Sequence, residues 1–517
     1  MTRLYKSLKK THKWLGVVLA IFFIFFALSG IIMNHRGAFS RFDVSRNWLP
    51  KDYRYSNWNN ASVRGTEHIG NDSLLIYGNI GIWLTNKNFT YFKNLNKGFP
   101  KGIDNRKISD VHKTNTGDIF ASTMFGLYRF KLNSDEWEKV SLPITEQRIV
   151  ALEELGDSLL VVSRSHILLG YGSDNYQSFS TIHLSAPKGA VKKVSLFKTI
   201  WFIHSGKILG TFGKIIVDII GIATILLSLT GLFYFLAPKF LRRIKSGLRI
   251  KSRIKQANRW SYKWHLKVGV IAALLLLVVT STGMFLRPPL LIPIANKTVN
   301  PIKGSQLDSQ NFWYDKLREL VYDTTQKVFL LATSDGIHFV PTDFSQPPFK
   351  APFQPPVSVM GINVFWQEGA QHFAVGSFSG LYRWNPYKNE IVNYLSGKEA
   401  ELEAGLRSPF GNTPISGGIQ LNNGEKIFFD YNKGAFSTTK SSIFPDMPKE
   451  IIKESGMSLW NLALEVHTWR IIKFLIGDFY ILIVPLSGLF GIVITVTGII
   501  MWFIKNKRRR NNNQINT

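Results

Sequence analysis

Four stretches of the chain are apolar and free of charged side chains. They cover residues 14–34, 219–238, 268–286 and 479–504. A helix needs about 20 predominantly apolar residues to cross the hydrocarbon of a bilayer. The pattern therefore predicts four transmembrane helices. The first stretch lacks the small-residue cleavage pattern of a removable signal peptide, so we expect it to be retained as an anchor.

Short runs of alternating apolar and polar residues fill the two long segments between the spans. Four of these runs share one shape, a strand, a small-residue turn and a second strand opened by glycine: "SLLIYGNIGIWLTNKNFTYF", "DIFASTMFGLYRFKLNSDEW", "VFLLATSDGIHFVPTDF" and "HFAVGSFSGLYRWNPYKNEI". The marker glycines are Gly81 and Gly126 in the first segment and Gly336 and Gly380 in the second, at nearly equal intervals. These intervals fall within the repeat of about 40–45 residues that is typical of propeller blades.

Fainter copies of this repeat occur at "LLVVSRSHILLG" and "EKIFFDYNKGAFSTT", which makes about three repeats in each segment. Three blades cannot close a ring alone. We therefore expect the two segments to join as one six- or seven-bladed β-propeller. Two separate β-sandwiches are the alternative.

The distribution of basic residues predicts how the helices are oriented in the membrane. The chain has 517 residues and a formal charge of +29. Residues 3–13, 239–267 and 505–510 together hold 21 Lys and Arg and no acidic residue. Such residues stay on the cytoplasmic side of a membrane, so both termini and the middle basic segment are expected in the cytoplasm. Because orientation explains the charge, we do not expect nucleic-acid binding.

The expected architecture is a membrane α + β protein, a four-helix transmembrane bundle from two tandem repeats with two large β-rich external inserts. A bacterial inner membrane with periplasmic inserts is the expected location. The predicted segments are transmembrane helix 1 at 1–35, an insert at 36–203, helix 2 at 204–238, a basic cytoplasmic loop at 239–264, helix 3 at 265–287, an insert at 288–466, helix 4 at 467–505 and a basic cytoplasmic tail at 506–517.

The chain contains no cysteine. This excludes disulfides, iron–sulfur ligation, thiolate metal sites and covalent haem attachment. Histidine is the obvious remaining ligand for a redox cofactor.

Histidine and glycine recur at matching places in the spans. In "THKWLGVVLAIFFIFFALSG" and "WHLKVGVIAALLLLVVTSTG", a histidine near the start precedes a [Ser/Thr]-Gly pair at the end. The interval from His12 to Gly30 is the same as that from His265 to Gly283. It corresponds to about 27 Å of helix, nearly the thickness of the hydrocarbon.

The second and fourth spans show a looser match in the opposite direction. His204 precedes Gly231, and His467 precedes Gly498, at intervals that differ by about one helical turn. Each membrane face is therefore expected to offer two histidines and two glycines. The pairs are His12 with His265 at the inner face and His204 with His467 at the outer face.

This arrangement suits two b-type haems, one in each leaflet. Such a haem needs one imidazole on either side of the iron, and glycine leaves a gap for the edge of the ring. Helix packing is the simpler explanation of each glycine taken alone, and interfacial anchoring that of each histidine. Packing does not, however, demand a histidine at the start of all four spans.

Two further polar residues lie near the spans. His35, in "IIMNHRG", is an alternative to His467 as ligand of the outer haem, or a polar residue of the membrane-exit turn. Asp218 lies within a span. A carboxylate there can mark a proton path, but Lys214 is four residues earlier and we expect the two to pair.

The chain resembles the PepSY-associated transmembrane helix family, which includes bacterial inner-membrane ferrisiderophore reductases. The resemblance rests on "HKWLG" with "ALSG", "HSGKILG" with "SLTG", and "KWHLKVG" with "TSTG", and it is weaker at "VHTWR". It implies a dihaem protein that passes electrons outward to reduce ferric iron, with His12, His204, His265 and His467 as haem ligands. The inserts depart from the family pattern, because neither contains a PepSY module.

No phosphate loop, dinucleotide fingerprint or nucleophile elbow occurs in the sequence. A quinol or a separate reductase is therefore expected as electron donor, and a ferric chelate or a periplasmic partner protein as acceptor. Two other functions remain open. One is a non-enzymatic receptor or assembly protein that recognises a partner through the propeller, and the other is a transporter that uses Asp218 and the histidines as a proton path.

Overall fold

The computed structural model describes residues 3–70, 72–243, 248–358, 360–400, 411–421, 424–438 and 444–515. The chain forms two compact units. The helical unit comprises Met1–Phe39, Lys192–Ser309 and Trp460–Thr517, and the strand unit comprises Ser40–Val191 and Gln310–Leu459. Residues 192–203 and 288–309, which the sequence pattern places in the inserts, thus belong to the helical unit.

The helices, in chain order, are α1 (Arg3–Asn34), α2 (Arg36–Phe39), α3 (Leu196–His204), α4 (Gly210–Arg243), α5 (Leu248–Met284), α6 (Lys449–Glu454), α7 (Leu459–His467), α8 (Lys473–Ile476) and α9 (Ile483–Ile515). Among the described residues, four helical segments are long and apolar enough to cross a membrane, and they contain α1, α4, α5 and α9. The four spans predicted from hydropathy are therefore confirmed as helices.

Each of these four helices packs against two others. Helix α1 contacts α4 and α9, and α5 contacts the same two. Glycine allows close approach at these contacts, since a Cβ added at Gly221 would lie 3.2 Å from Ile31 and one added at Gly491 would lie 3.1 Å from Thr280. Small residues commonly bring membrane helices together in this way.

In the basic segment predicted as a loop, residues 239–243 and 248–264 are helical, which corrects our prediction for those residues. Helix α4 continues to Arg243 and α5 begins at Leu248, while residues 244–247 of the predicted loop lie outside the described residues. Pro238 lies inside α4, as is tolerated in membrane helices. Residues 248–264 contain neither glycine nor proline and are rich in good helix formers, so nothing interrupts the helix there.

Among the described residues, the strand unit contains six sheets of three or four strands, S1 to S6, three in each insert. In the first insert they are S1 with β2 (Gly65–His68), β3 (Ser73–Gly78), β4 (Gly81–Asn86) and β5 (Lys93–Asn94), S2 with β6 (Ile108–Lys113), β7 (Ile119–Thr123), β8 (Gly126–Lys131) and β9 (Glu136–Val140), and S3 with β10 (Ile149–Leu155), β11 (Ser158–Ser163), β12 (Ile167–Tyr171) and β13 (Ser180–Ile182).

In the second insert they are S4 with β16 (Leu317–Asp323), β17 (Val328–Thr333), β18 (Gly336–Pro341) and β19 (Phe349–Lys350), S5 with β20 (Ile362–Glu368), β21 (His372–Ser377), β22 (Gly380–Asn385) and β23 (Glu390–Asn393), and S6 with β24 (Ile415–Gln420), β25 (Lys426–Asp430) and β26 (Gly434–Ser437). Two short pairs join distant segments, β1 (Asp43–Val44) with β27 (Met457–Ser458) and β14 (Val194–Ser195) with β15 (Thr298–Val299).

All six sheets are antiparallel, with sequential strands as neighbours. The four repeated stretches form the hairpins β3–β4, β7–β8, β17–β18 and β21–β22, and the fainter copies form β11–β12 and β25–β26. At the first hairpin Gly81 has a φ of +83°, and the space beside it is taken by Asn96, which accepts a 2.9 Å hydrogen bond from the Ile82 amide. Glycine is therefore required at this turn.

The sheets share their hydrophobic cores with one another. Separate clusters of buried side chains join S1 to S2, S2 to S3, S3 to S4, S4 to S5 and S5 to S6. A further cluster joins S6 to S1 and includes Trp58, Trp83 and Phe429, all fully buried. Every sheet thus has a core in common with two others.

Candidate functional site

The four histidines predicted as ligands form two pairs in the helical unit. The rings of His12 on α1 and His265 on α5 have centres 6.1 Å apart. The rings of His204, at the end of α3, and His467, at the end of α7, have centres 6.2 Å apart. We call these the inner pair and the outer pair. The combinations are those expected from the spacing of the sequence.

Each inner imidazole is held by a helix other than its own. The Nδ1 of His12 lies 3.0 Å from the carbonyl oxygen of Ile494 and 3.2 Å from the Thr497 hydroxyl, both on α9. The Nδ1 of His265 lies 3.1 Å from the Leu227 carbonyl and 3.2 Å from the Thr230 hydroxyl on α4. We call such a carbonyl oxygen and hydroxyl group on another helix the seat of the histidine. The two inner histidines have the same kind of seat.

The outer imidazoles repeat this arrangement. The Nδ1 of His204 lies 3.0 Å from the Val279 carbonyl and 3.4 Å from the Thr282 hydroxyl on α5. For His467 the partners are on α1, and its Nδ1 lies 3.1 Å from the Phe26 carbonyl and 3.0 Å from the Ser29 hydroxyl. All four long helices thus contribute one seat.

The hydrogen bonds of the seat determine where the imidazole proton lies. Each hydroxyl donates its own hydrogen to the carbonyl four residues earlier, as Thr230 does to Leu226 at 2.6 Å and Thr497 to Val493 at 2.8 Å. The hydroxyl oxygen and the second carbonyl can then only accept, so Nδ1 must be the donor. In a neutral ring this leaves Nε2 unprotonated, with its lone pair available for a metal. Among the described residues, no hydrogen bond reaches Nε2 of any of the four histidines.

The glycine of each [Ser/Thr]-Gly pair lies against the imidazole. A Cβ added at Gly30 would lie 3.5 Å from Cε1 of His467, and at Gly231 it would lie 3.1 Å from Cε1 of His265. The corresponding distances are 2.8 Å for Gly283 with His204 and 3.2 Å for Gly498 with His12.

The sequence pattern predicts these glycines as clearance for the edge of a macrocycle. In the structure each one makes room for a histidine ring. The backbone carbonyls that accept from Nδ1 are absent from the sequence predictions, because the side chain of a residue gives no signal that its carbonyl oxygen is used.

His35 and Asp218 contact each other. Nε2 of His35 lies 2.5 Å from Oδ2 of Asp218, and the Asn34 amide donates to the other carboxylate oxygen at 3.4 Å. The predicted pairing of Asp218 with Lys214 is therefore wrong, because the carboxylate is taken by His35, in the turn between α1 and α2, and by Asn34 at the end of α1. His35 is directed to Asp218, and the structure places His467, not His35, opposite His204.

Other histidines make ordinary contacts within the strand unit. His112 lies 3.2 Å from Glu154, and His372 lies 3.2 Å from Glu390. Within the described part of the chain, no group of three or more His, Asp or Glu side chains is arranged to hold a metal ion. The histidine pairs are consequently the candidate site.

Four helical segments of spanning length, with paired histidines between them, define a membrane protein with a helical core. The chain belongs to the family of the PepSY-associated TM region, whose model matches residues 2–237 and again residues 183–505. The two matches overlap at residues 183–237 and together cover nearly the whole chain, so the resemblance noted in the sequence is confirmed. No curated protein sequence matches the chain.

Several solved structures show a weak likeness. The computationally designed Ika8 protein has 8% identity and a TM-score of 0.29, with 78% of this chain and 90% of that chain covered. The extracellular domain of the putative one component system BT4673 from B. thetaiotaomicron has 10% identity and a TM-score of 0.20, covering 73% and 53%. PorZ of Porphyromonas gingivalis, a surface component of the type-IX secretion system, has 10% identity and a TM-score of 0.22, covering 74% and 46%. The chain thus spans about half the length of these two natural proteins, and none of the three likenesses bears on function.

Proposed function

We propose that the chain is a transmembrane electron-transfer protein in which each histidine pair binds one b-type haem. His12 and His265 would hold the inner haem, and His204 and His467 the outer one. The observation that carries this proposal is the hydrogen bond from Nδ1 of every one of these rings to a backbone carbonyl. Histidines that ligate metals characteristically donate their other ring N–H in this way, which orients the ring and makes Nε2 the ligand.

The separation of the rings also supports the proposal. A metal–imidazole bond is about 2.0–2.1 Å long, and the ring centre lies about 1.1 Å beyond Nε2, so two imidazoles on opposite sides of one metal have centres about 6.3 Å apart. The inner pair has 6.1 Å and the outer pair 6.2 Å. The residues therefore fit a metal bound between them.

The number of protein ligands favours haem over a bare metal ion. A bis-histidine haem takes two ligands from the protein, because the porphyrin supplies the rest. A structural zinc ion takes four. Each pair offers two imidazoles, and the described residues bring no third histidine or carboxylate into a metal-binding group with them.

The two pairs lie at opposite ends of α1. His12 belongs to the inner pair, and Ser29, near the other end of the same helix, holds the outer pair. At a helical rise of about 1.5 Å per residue, the interval from His12 to Ser29 is about 26 Å, most of the thickness of the hydrocarbon. When bound, two haems would supply one-electron transfer over this distance. The chain's own contribution is to orient four imidazoles through their Nδ1 hydrogen bonds.

The direction of transfer follows from charge. Lys9 and Lys13 flank His12, and Lys263 and Lys267 flank His265. We infer that the inner pair faces the cytoplasm, and that both termini are cytoplasmic and the strand unit periplasmic in a bacterial inner membrane. The donor is a quinol or a separate reductase, and by the family resemblance the acceptor is a ferric complex such as a ferrisiderophore. The enzyme activity proposed is haem-dependent ferric reduction.

We also infer that S1 to S6 are the six blades of one β-propeller. The support is the antiparallel order of each sheet, the regular spacing of the marker glycines, and the cluster that joins S6 back to S1. A closed ring leaves only short, protected edges, which is how propellers avoid aggregation through unpaired strands.

The test is the visible spectrum of the full-length protein, expressed with ample haem and purified in detergent. After reduction we expect the sharp α band of bis-histidine b-type haem, and a pyridine haemochrome assay should give two haems per chain. A colourless protein would refute the proposal. The receptor and the transporter considered above both predict that result.

A further inference from the structure

A cavity of about 590 Å³ lies between S5 and S6 in the strand unit. The polar side chains that line it are Glu368, Arg383, Asn393, Tyr394, Gln420 and Lys426. The volume is within the range of about 300–1,000 Å³ that small-molecule sites occupy, which is much more than an inorganic ion fills. The cavity shares no residue with the histidine pairs.

The acidic residue of the cavity is already neutralised. Glu368 accepts hydrogen bonds from Lys426 at 2.9 Å, from the Tyr394 hydroxyl at 3.1 Å and from the Trp366 indole at 3.0 Å. Lys426 donates to the Tyr394 oxygen as well, at 3.0 Å. Partial burial works to lower the pKa of Lys426, but the bonds to Glu368 and Tyr394 outweigh it and raise that pKa. The lysine therefore stays charged, and its pair with Glu368 contributes no net charge.

Arg383 has no such partner. Among the described residues no hydrogen bond or ion pair reaches its guanidinium, although its side chain lines the cavity. The same position in S2 is Arg129, in the matching sequence Gly-Leu-Tyr-Arg, and Arg129 binds Asp118 through Nε at 2.9 Å and Nη2 at 2.5 Å. S5 has His372 in place of that aspartate, and His372 contacts Glu390 instead.

Comparison of S5 with S2 thus shows that Arg383 lacks a carboxylate like the one that Arg129 binds. A guanidinium presents a planar fork of N–H donors that matches the two oxygens of a carboxylate. In S2 the carboxylate comes from the chain itself. In S5 the guanidinium borders a cavity large enough for a second molecule. Among the described residues that line this cavity, the charged ones are Arg383, Lys426 and Glu368, so their net charge is positive.

We propose that the cavity between S5 and S6 binds a small organic anion whose carboxylate pairs with Arg383. Gln420 and the Lys426–Tyr394 pair supply further polar contacts around it. The site is separate from the proposed haem sites, and its existence does not depend on them.

The test is isothermal titration of the full-length protein in detergent with citrate, inorganic phosphate and sucrose, at one ionic strength. We expect saturable citrate binding with one site per chain, and weaker or no binding of phosphate and sucrose. Arg383→Gln should weaken citrate binding at least tenfold, and Arg383→Lys, which keeps the charge but loses the fork, should fall between the two. Because Arg383 is exposed, these variants should melt at the temperature of the parent protein.

Arg129→Gln is the matched control, since it removes the same side chain from the same position of another sheet. It should leave citrate binding unchanged. Absence of saturable citrate binding, equal affinity in Arg383→Gln, equal loss in Arg129→Gln, or binding of phosphate or sucrose at least as tight as that of citrate would each overturn the proposal. The haem spectrum is independent of all these outcomes.

Discussion

The substitution Gly283→Ala tests whether a bare backbone is needed to seat a histidine. A methyl group at this position would lie 2.8 Å from Cε1 of His204. Ordinary contact begins at 3.4 Å, so the ring must retreat by about 0.6 Å. Its Nδ1 is now 3.0 Å from the Val279 carbonyl. A displacement of this size lengthens the distance between Nδ1 and the carbonyl oxygen to about 3.6 Å, at which the hydrogen bond is lost.

The cost follows from the lost hydrogen bond. A typical hydrogen bond contributes about 0.5–1.5 kcal/mol, and a buried donor left without a partner costs about 1–3 kcal/mol. We therefore expect haem affinity at the outer pair to fall by about 5- to 150-fold, which corresponds to about 1–3 kcal/mol. The helix itself should not suffer, because Gly283 is the last residue but one of α5 and alanine is a better helix former than glycine.

Gly30→Ala provides the matched control at the same pair. Its methyl group would lie 3.5 Å from Cε1 of His467, which is ordinary contact. The assay is a haem titration of both variants, followed by the absorbance of the reduced α band. Gly283→Ala should bind one haem tightly and the second weakly, and Gly30→Ala should match the parent protein. Two tight haems in Gly283→Ala, or equal losses in both variants, would refute the seating role of the glycine.

Three further predictions concern single side chains. His265→Ala removes one inner ligand, so the pyridine haemochrome assay should find about one haem per chain; two would contradict the pairing. His35→Gln should retain two haems, because His35 faces Asp218, and loss of the outer haem would instead identify His35 as a ligand. Burial, with the Asp110 carboxylate as a smaller cause, raises the pKa of Glu153 in the strand unit to about 8, so Glu153→Gln should reduce the fall in thermal stability that we expect between about pH 5 and pH 8.

The sign of the pH effect follows from proton linkage. The folded strand unit holds a proton on Glu153 up to about pH 8, whereas the unfolded chain releases it near the ordinary value of 4.5. This contribution to stability is complete below about pH 4.5 and is lost as the pH rises through 8. Tryptophan fluorescence during melting is the measurement, with Glu138→Gln on the surface as control. If both variants keep the pH dependence of the parent, Glu153 is not its source.

Much of the helical unit could be predicted from local pattern. Hydropathy identifies four spans, and the duplicated interval from His12 to Gly30 and from His265 to Gly283 indicates which residues meet at each level. These predictions succeed because helix geometry converts sequence spacing into depth. The spacing does not reveal which helices are neighbours, and so the seat of His12 on α9 could not be derived from it.

The wrong prediction for Asp218 has the same origin. Lys214 is the near neighbour of Asp218 along one helix, but His35, in the turn that follows α1, pairs with the carboxylate. The [Ser/Thr]-Gly pairs are easily recognised in the sequence. The sequence does not show that an imidazole packs against each glycine, because a glycine predicts a gap in the helix surface and not the group that occupies it. In the strand unit the repeats can be recognised in the sequence because a glycine recurs in the hairpins. The cluster between S6 and S1 could not be predicted in this way, because it depends on contacts between distant parts of the chain.

The core shared by S1 and S6 has a consequence for biosynthesis. Trp58 in the first insert donates a 2.7 Å hydrogen bond to the carbonyl of Pro445, and its cluster extends to Ile451. At a synthesis rate of about 5–20 residues per second, roughly 20–70 s pass between the completion of S1 at Asn94 and the appearance of Ile451. Throughout this time the residues of S6 and Ile451 that pack against Trp58 and Trp83 in the folded protein are not all available. A truncated chain would stay in that state, which makes this face a natural point of contact for chaperones and proteases.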